Sequence, residues 1–190
     1  ASAATAALAN GRTMMSATIS RCNAAAARLG VQPGEPVREA ARKLLAAPTG
    51  RAIVAENAFD NDVHEVYRDA RGAILASSSS FVFKEEHPHD VLCIASHTGR
   101  VFGESILKIR PRGAMANDAG MGLYQSGIGA LPMLQEAGIA GAAVAAMSAR
   151  IGDGMSTWRD GIISATNELA AAKGVKVGMK AGEAAVLMLG

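Results

Sequence analysis

Three short apolar runs constrain this chain most: VLCIA (Val91 to Ala95), GAMA (Gly113 to Ala116) and AAVAA (Ala142 to Ala146). Each breaks abruptly into a polar, glycine-bearing loop: SHTGR from Ser96, NDAGMG from Asn117 and SARIGD from Ser148. A helical pattern is expected after each loop. The first is a short one after Gly103. The second runs from Leu123 to Glu136, with Ile128, Leu131 and Leu134 before Gly138. The third runs from Thr157 into Ile163 and Leu169. Apolar runs of four or five residues without alternation suit strands buried on both faces. Their alternation with helical segments predicts an α/β fold with a mainly parallel sheet flanked by Ala-rich helices. Further candidate strands are Ala52 to Ala55 and Ala73 to Ala76, with Phe81 to Phe83 as another. The SSSS stretch, Ser77 to Ser80, reads as a solvated bend or edge.

Parallel strands place all their carboxyl ends on one edge, and ligands of open α/β sheets bind outside that edge. If the three runs are parallel, Ser96, His97, Asn117, Asp118, Ser148, Arg150 and Asp153 converge there. His97 at a strand end suits a general acid or base, with Asp118 orienting it or tuning its charge. A planar guanidinium at Arg150 suits an anionic group. Ser96, Asn117, Ser148 and Asp153 complete the expected substrate-binding set. Gly99, Gly120, Gly122, Gly152 and Gly154 would let backbone approach a ligand. Each residue also has a structural alternative: Asp118 as a turn or helix cap, and Arg150 as an ion-pair partner of Asp153 or Asp118.

Composition narrows the partners. The chain has 190 residues, 49% hydrophobic and 19% charged, with a formal charge of +2. One domain is expected, 1–190, with 1–47 as a helical hairpin and 51–190 as βα units. Lys and Arg are scattered, so no nucleic-acid partner is expected. No segment approaches 18 uncharged apolar residues, so no membrane span is expected either. No basic stretch followed by an apolar core opens the sequence, and Cys22 and Cys93 read as reduced thiols, which together suggest a cytoplasmic protein. His87 and His89 in EEHPHD could bind a metal with Glu85, Glu86 or Asp90. Pro88 and the dense charge mark a surface turn instead, and no metal or cofactor is expected. There is no Walker A loop, no G-x-G-x-x-G after the first strand and no G-x-S-x-G.

An internal repeat stands apart from these runs. Ile19 to Leu45 aligns without a gap on Ile163 to Leu189, 144 positions later, and twelve of 27 positions are identical. The matches include Ser20/Ser164, Asn23/Asn167, Gly30/Gly174, Gly34/Gly178 and Glu39/Glu183. Each copy reads as helix, glycine stop, turn and second helix. SARIGD precedes only the later copy, so Thr5 to Leu45 is read as structural. Ala- and Gly-rich helices with few surface charges favour close packing between subunits, so a homo-oligomer, a dimer, is expected.

From Ser96 onward the chain resembles a group of small bacterial proteins of uncertain function. Their shared motifs appear here in order as Ser96-His97-Thr98-Gly99, NDAGMG, SARIGD and an Ile-Ser-x-x-Asn helix at Ile163 to Asn167. The group's pattern continues NDAGMG with Lys-Asp, where this chain has Leu123-Tyr124. The resemblance covers the C-terminal half and implies a small-molecule site without fixing its reaction. The residues themselves suit an enzyme acting on a small carboxylate or amide, hydrolysis being favoured over lyase elimination. A non-catalytic metabolite-binding or subunit-like protein using the same crevice is the alternative. A purely structural assembly protein is a third.

Overall fold

The computed structural model describes residues 1–2, 4–6, 11–50 and 60–190. The expected strand at Ala52 to Ala55 lies outside them. Two compact units emerge, one drawn from residues 1–58 with 122–126, the other from 59–121 with 127–190.

The smaller unit contains α1 (Gly11–Met14), α2 (Ala24–Arg28) and α3 (Val37–Leu45). Asn23 caps α2 by accepting from the Ala26 N–H at 2.9 Å. Gly30 stops it with a φ of +79°, a conformation that costs glycine no Cβ clash. A short ladder then closes the hairpin. Ile19 N–H donates to Glu35 O at 2.8 Å, Gly34 N–H to Ile19 O at 2.8 Å and Val37 N–H to Ala17 O at 2.9 Å. Of α3, only Ala40 is buried, and Leu45 is 86% exposed.

The larger unit is built on one six-stranded sheet, ordered β1 (His64–Asp69), β2 (Gly72–Ser77), β3 (Val91–His97), β4 (Gly113–Asn117), β5 (Ala140–Val144) and β6 (Ile163–Thr166). Strands β2 to β5 are parallel, and the edge strands β1 and β6 run antiparallel to their neighbours. The α/β class with a mostly parallel sheet therefore holds. Helices α4 (Arg100–Ile109) and α5 (Ala130–Glu136) make the β3–β4 and β4–β5 crossovers. Because the strand order is monotonic and crossovers share one hand, both helices lie on one face. There Phe102, Ile106 and Leu134 pack on Ala73, Leu75, Leu92 and Ile94. The opposite face takes α6 (Gly154–Asp160), α7 (Glu168–Ala172) and α8 (Ala181–Leu189). There Ala181, Ala184, Ala185, Met188 and Leu189 join Ile74, Val91, Cys93 and Met115 in the second core.

The α7–α8 hairpin has its own ladder. Ile163 N–H donates to Met179 O at 2.9 Å, Gly178 N–H to Ile163 O at 2.8 Å and Ala181 N–H to Gly161 O at 2.8 Å. Asn167 caps α7 through its bond from Ala170 N–H and also accepts from Gly141 N–H at 2.9 Å and donates to Ile139 O at 2.9 Å.

Several local expectations change. The helix expected from Thr157 into Ile163 and Leu169 stops at Asp160. Ile163–Thr166 is instead the edge strand β6, because its backbone pairs with β5. That segment was also the helix of the shared Ile-Ser-x-x-Asn motif, and here only its Asn167 touches a helix, as a cap. The helix expected over Leu123 to Glu136 divides into a 3₁₀ turn, Leu123–Ile128, and α5, with Tyr124 and Gln125 at positive φ. Phe81 to Phe83 overlaps another 3₁₀ turn, Ser80–Val82, rather than a strand. The helix after SHTGR starts earlier than expected, at Arg100, and is ten residues long.

Cys93 is fully buried in β3, and desolvation pushes its thiol up to about 12. A buried thiol in this state carries almost no thiolate at pH 8. A disulfide-based thiol reagent should therefore titrate one cysteine, the half-buried Cys22, in the native protein. The second should react only on denaturation. Two fast equivalents would show that β3 opens readily.

Candidate functional site

The carboxyl ends of β2, β3, β4 and β5 lie on one edge of the larger unit, so the three polar loops do share an edge. Most of their polar side chains are spent on holding backbone in place. Asn117 Oδ1 accepts from Ala119 N–H at 2.8 Å. Asp118 Oδ1 accepts from Gly120 N–H at 2.8 Å and from Ala146 N–H at 3.0 Å, tying the β4 loop to the end of β5. Both residues are only 5% exposed. Ser148 donates to Ala145 O at 2.8 Å and accepts from Ile162 N–H at 2.9 Å. Asp153 caps α6 by accepting from Ser156 N–H at 2.9 Å. The Ser156 hydroxyl accepts from Arg150 N–H at 3.0 Å and donates to Asp160 at 2.6 Å, which closes the SARIGD loop on the helix it starts.

That loop is laced across two strand ends. Gly152 N–H donates to Ala95 O of β3 at 2.8 Å. Gly154 rests on β2: a Cβ there would lie 2.4 Å from Ser77 N. The β4 loop is equally confined. Ala119 and Met121 sit at φ of +52° and +65°, where a side chain costs roughly 1–2 kcal/mol. Gly127 N–H donates to Met121 O at 2.8 Å, and a Cβ on Gly127 would lie 2.1 Å from Asp118 O. Strain of this kind persists only where surrounding structure over-determines it, and it clusters at working sites.

Two ionisable side chains on this edge are not bonded to backbone, His97 and Arg150. His97, the last residue of β3, is exposed, and its ring has no hydrogen-bond partner among the described residues. No bond joins it to Asp118, whose carboxylate serves the backbone. Arg150 reaches out with its side chain 80% exposed, and among the described residues it is held only by Asp153 at 3.1 Å. An ion pair so exposed contributes little to stability, about 0–1 kcal/mol. Ser96 is half-buried beside His97.

Ser77 is a polar strand end that the sequence reading missed. It closes β2, is 1% exposed, and its hydroxyl has no hydrogen-bond partner among the described residues. The signal was present: AILA ends in Ser77 just as VLCIA ends in Ser96. The four consecutive serines suggested solvent, whereas Ser77 and Ser80 are both buried.

The opposite, amino-terminal edge carries open clefts of about 660 and 690 Å³. They contain more volume than chemistry, because most of their charges are already paired. Arg71 binds Asp69 at 2.6 Å, Arg110 faces Glu86 at 3.4 Å and His87 bonds Asp90 at 2.9 Å. His87 also stacks edge-on against Phe83 at 5.2 Å. Among the described residues, no three His, Cys, Asp or Glu side chains cluster as a metal site would require. No described helix is long and apolar enough to cross a membrane. In comparisons with known protein families, curated proteins and solved structures, the chain matches none.

Proposed function

We propose that the chain is an enzyme for a small carboxylate or amide, with hydrolysis favoured over elimination, working at the carboxyl edge of the sheet. The observation that carries this reading is a division of labour. Asn117, Asp118, Ser148 and Asp153 hold the loops in place, which leaves on that edge the unbonded ring of His97 and the guanidinium of Arg150, tied only by an exposed ion pair to Asp153 among the described residues. Preorganised loops bearing a few unspent polar groups are what a catalytic edge requires. His97 would move the proton and Arg150 would hold an anionic group. Asn117 has its amide N–H₂ still available to a developing oxyanion, with Ser96 beside it. Asp118 would act on His97 through its field alone. A non-catalytic metabolite-binding role draws support from the unoriented imidazole of His97, since a general base is normally aligned by a partner.

A thermal-shift screen of small carboxylates, amides and phosphates tests the site. A ligand at about 100 times its Kd adds roughly 2.7 kcal/mol, or about 5–10 °C for a chain of this length. Arg150→Ala should erase most of that shift and leave the unliganded Tm nearly unchanged. His97→Ala should keep the shift and abolish turnover. A His97→Ala protein that turns substrate over at the wild-type rate would leave only the binding role. An Arg150→Ala protein that melts early without ligand would make Arg150 a structural residue and remove the site's anchor.

The two helical hairpins are proposed to be copies of one ancestral element. Five hydrogen bonds support this, each recurring 144 residues later: the three of the ladder, the Asn cap, and Val31 N–H to Ala26 O with its counterpart Val175 N–H to Ala170 O, both at 3.1 Å. The five residues that α8 buries correspond to Val37, Ala40, Ala41, Leu44 and Leu45, all apolar. Its less buried positions correspond to Arg38, Glu39, Arg42 and Lys43. The earlier copy carries no polar loop and is assigned a structural role, in a protein we place in the cytoplasm as a homo-oligomer.

A further inference from the structure

We propose that Asn117 sets the specificity of the carboxyl-edge site: its side-chain amide selects a carboxylate there over the corresponding amide or amidinium. Strand register brings it beside His97. The two residues pair across β3 and β4, and residues paired across parallel strands project from the same face of the sheet. Asn117 also pairs with Val144 of β5 and follows Met115 by two positions, and both of those side chains belong to the core under α6 and α8. His97 and Asn117 therefore rise on the α6 face. Arg150 belongs to the same side, because Ala149 before it and Met155 after it pack against that core.

The orientation of the Asn117 amide is fixed. Its oxygen accepts from Ala119 N–H at 2.8 Å, and since an N–H can only donate, the N–H₂ end must face the other way. The residue is only 5% exposed, and its Nδ2 has no acceptor among the described residues. Unlike the Ser77 hydroxyl, that nitrogen is not sealed from solvent. A deeply buried side chain thus presents one unspent donor at the edge, next to an exposed imidazole. A carboxylate meets it with acceptor-only oxygens, and the Arg150 guanidinium supplies a donor fork for the charge. A carboxamide has one acceptor oxygen and no charge, so it cannot serve Asn117 and Arg150 equally. An amidinium offers donors alone and would leave the Asn117 donor unpaired. This assignment rests on the proposed carboxyl-edge site and narrows the group seated there from carboxylate or amide to carboxylate.

Acetate, acetamide and acetamidinium share one planar shape and differ in charge and donors, which makes them the probes. Titrated into isotopically labelled protein, acetate should shift the side-chain amide resonances of Asn117 saturably. Acetamide should bind at least about tenfold more weakly, as loss of a charge-assisted bond requires, and acetamidinium should not bind. Asn117→Asp keeps an oxygen for Ala119 N–H and turns the free donor into an acceptor. It should weaken acetate about tenfold or more and admit acetamidinium. Acetamide binding the wild type as tightly as acetate would overturn the assignment whether or not the variant folds. Unchanged acetate affinity in folded Asn117→Asp would do the same. If Arg150→Ala abolishes acetate binding and Asn117→Asp does not, selection by Asn117 falls and the site stands. If the acetate series obeys Asn117 and the wild type turns over no carboxylate or amide, the selection stands and the enzyme reading falls. Failure of acetate to bind at this edge overturns both.

Discussion

Asn167→Ala is expected to destabilise the larger unit by about 3 kcal/mol, read as a fall in the urea midpoint with unchanged m. Its side chain is buried and makes three bonds at once: from Gly141 N–H and Ala170 N–H to Oδ1, and from Nδ2 to Ile139 O. Removing it leaves the amide of Gly141 and the carbonyl of Ile139 without partners at the start of β5, in addition to the lost cap. Asn23→Ala is the internal control. Asn23 makes the same cap to Ala26 and is exposed, so about 1 kcal/mol is expected in its own unit. Equal losses at the two positions would show that the bonds from Asn167 to β5 contribute nothing. Because the chain forms two compact units, the unfolding should be followed by probes specific to each.

Gly154→Ala should have the other large effect, and on function as well as stability. Its Cα faces the backbone of Ser77, with N, C and Cα at 2.4, 2.6 and 2.7 Å from a Cβ placed there. Neither side can yield, because β2 is held in the sheet and Gly154 opens α6 under the Asp153 cap. The loop must lift off the strand ends. A loss of at least about 3 kcal/mol is expected. Where the protein still folds, the Arg150-dependent thermal shift should disappear with it. Gly152→Ala serves as the comparison: nothing lies within 4 Å, so it meets only the penalty of its φ of +81°, about 1 kcal/mol. A Gly154→Ala protein with wild-type Tm and ligand response would mean that the SARIGD loop need not touch β2.

The parallel core and its polar edge were legible in the order of residues alone. VLCIA, GAMA and AAVAA became β3, β4 and β5 because uninterrupted apolar runs can only be buried on both faces, and short crossovers leave their ends no choice but one edge. Which polar residue does what was decided in three dimensions. Asp118 looked like chemistry, yet its oxygen is taken by Gly120 and by Ala146, 28 residues on, a partner that no local pattern reveals. Ser77 looked like solvent-facing turn, yet α6 and the α4 face enclose it. Ile163–Thr166 looked helical, because ISATNELAAA carries helical spacing, but the open edge of β5 offered backbone bonds that outweigh local propensity. A strand's existence follows from the burial of its own side chains, whereas a polar group's role follows from the donors and acceptors that folding brings within 3 Å of it. Those come from elsewhere in the chain.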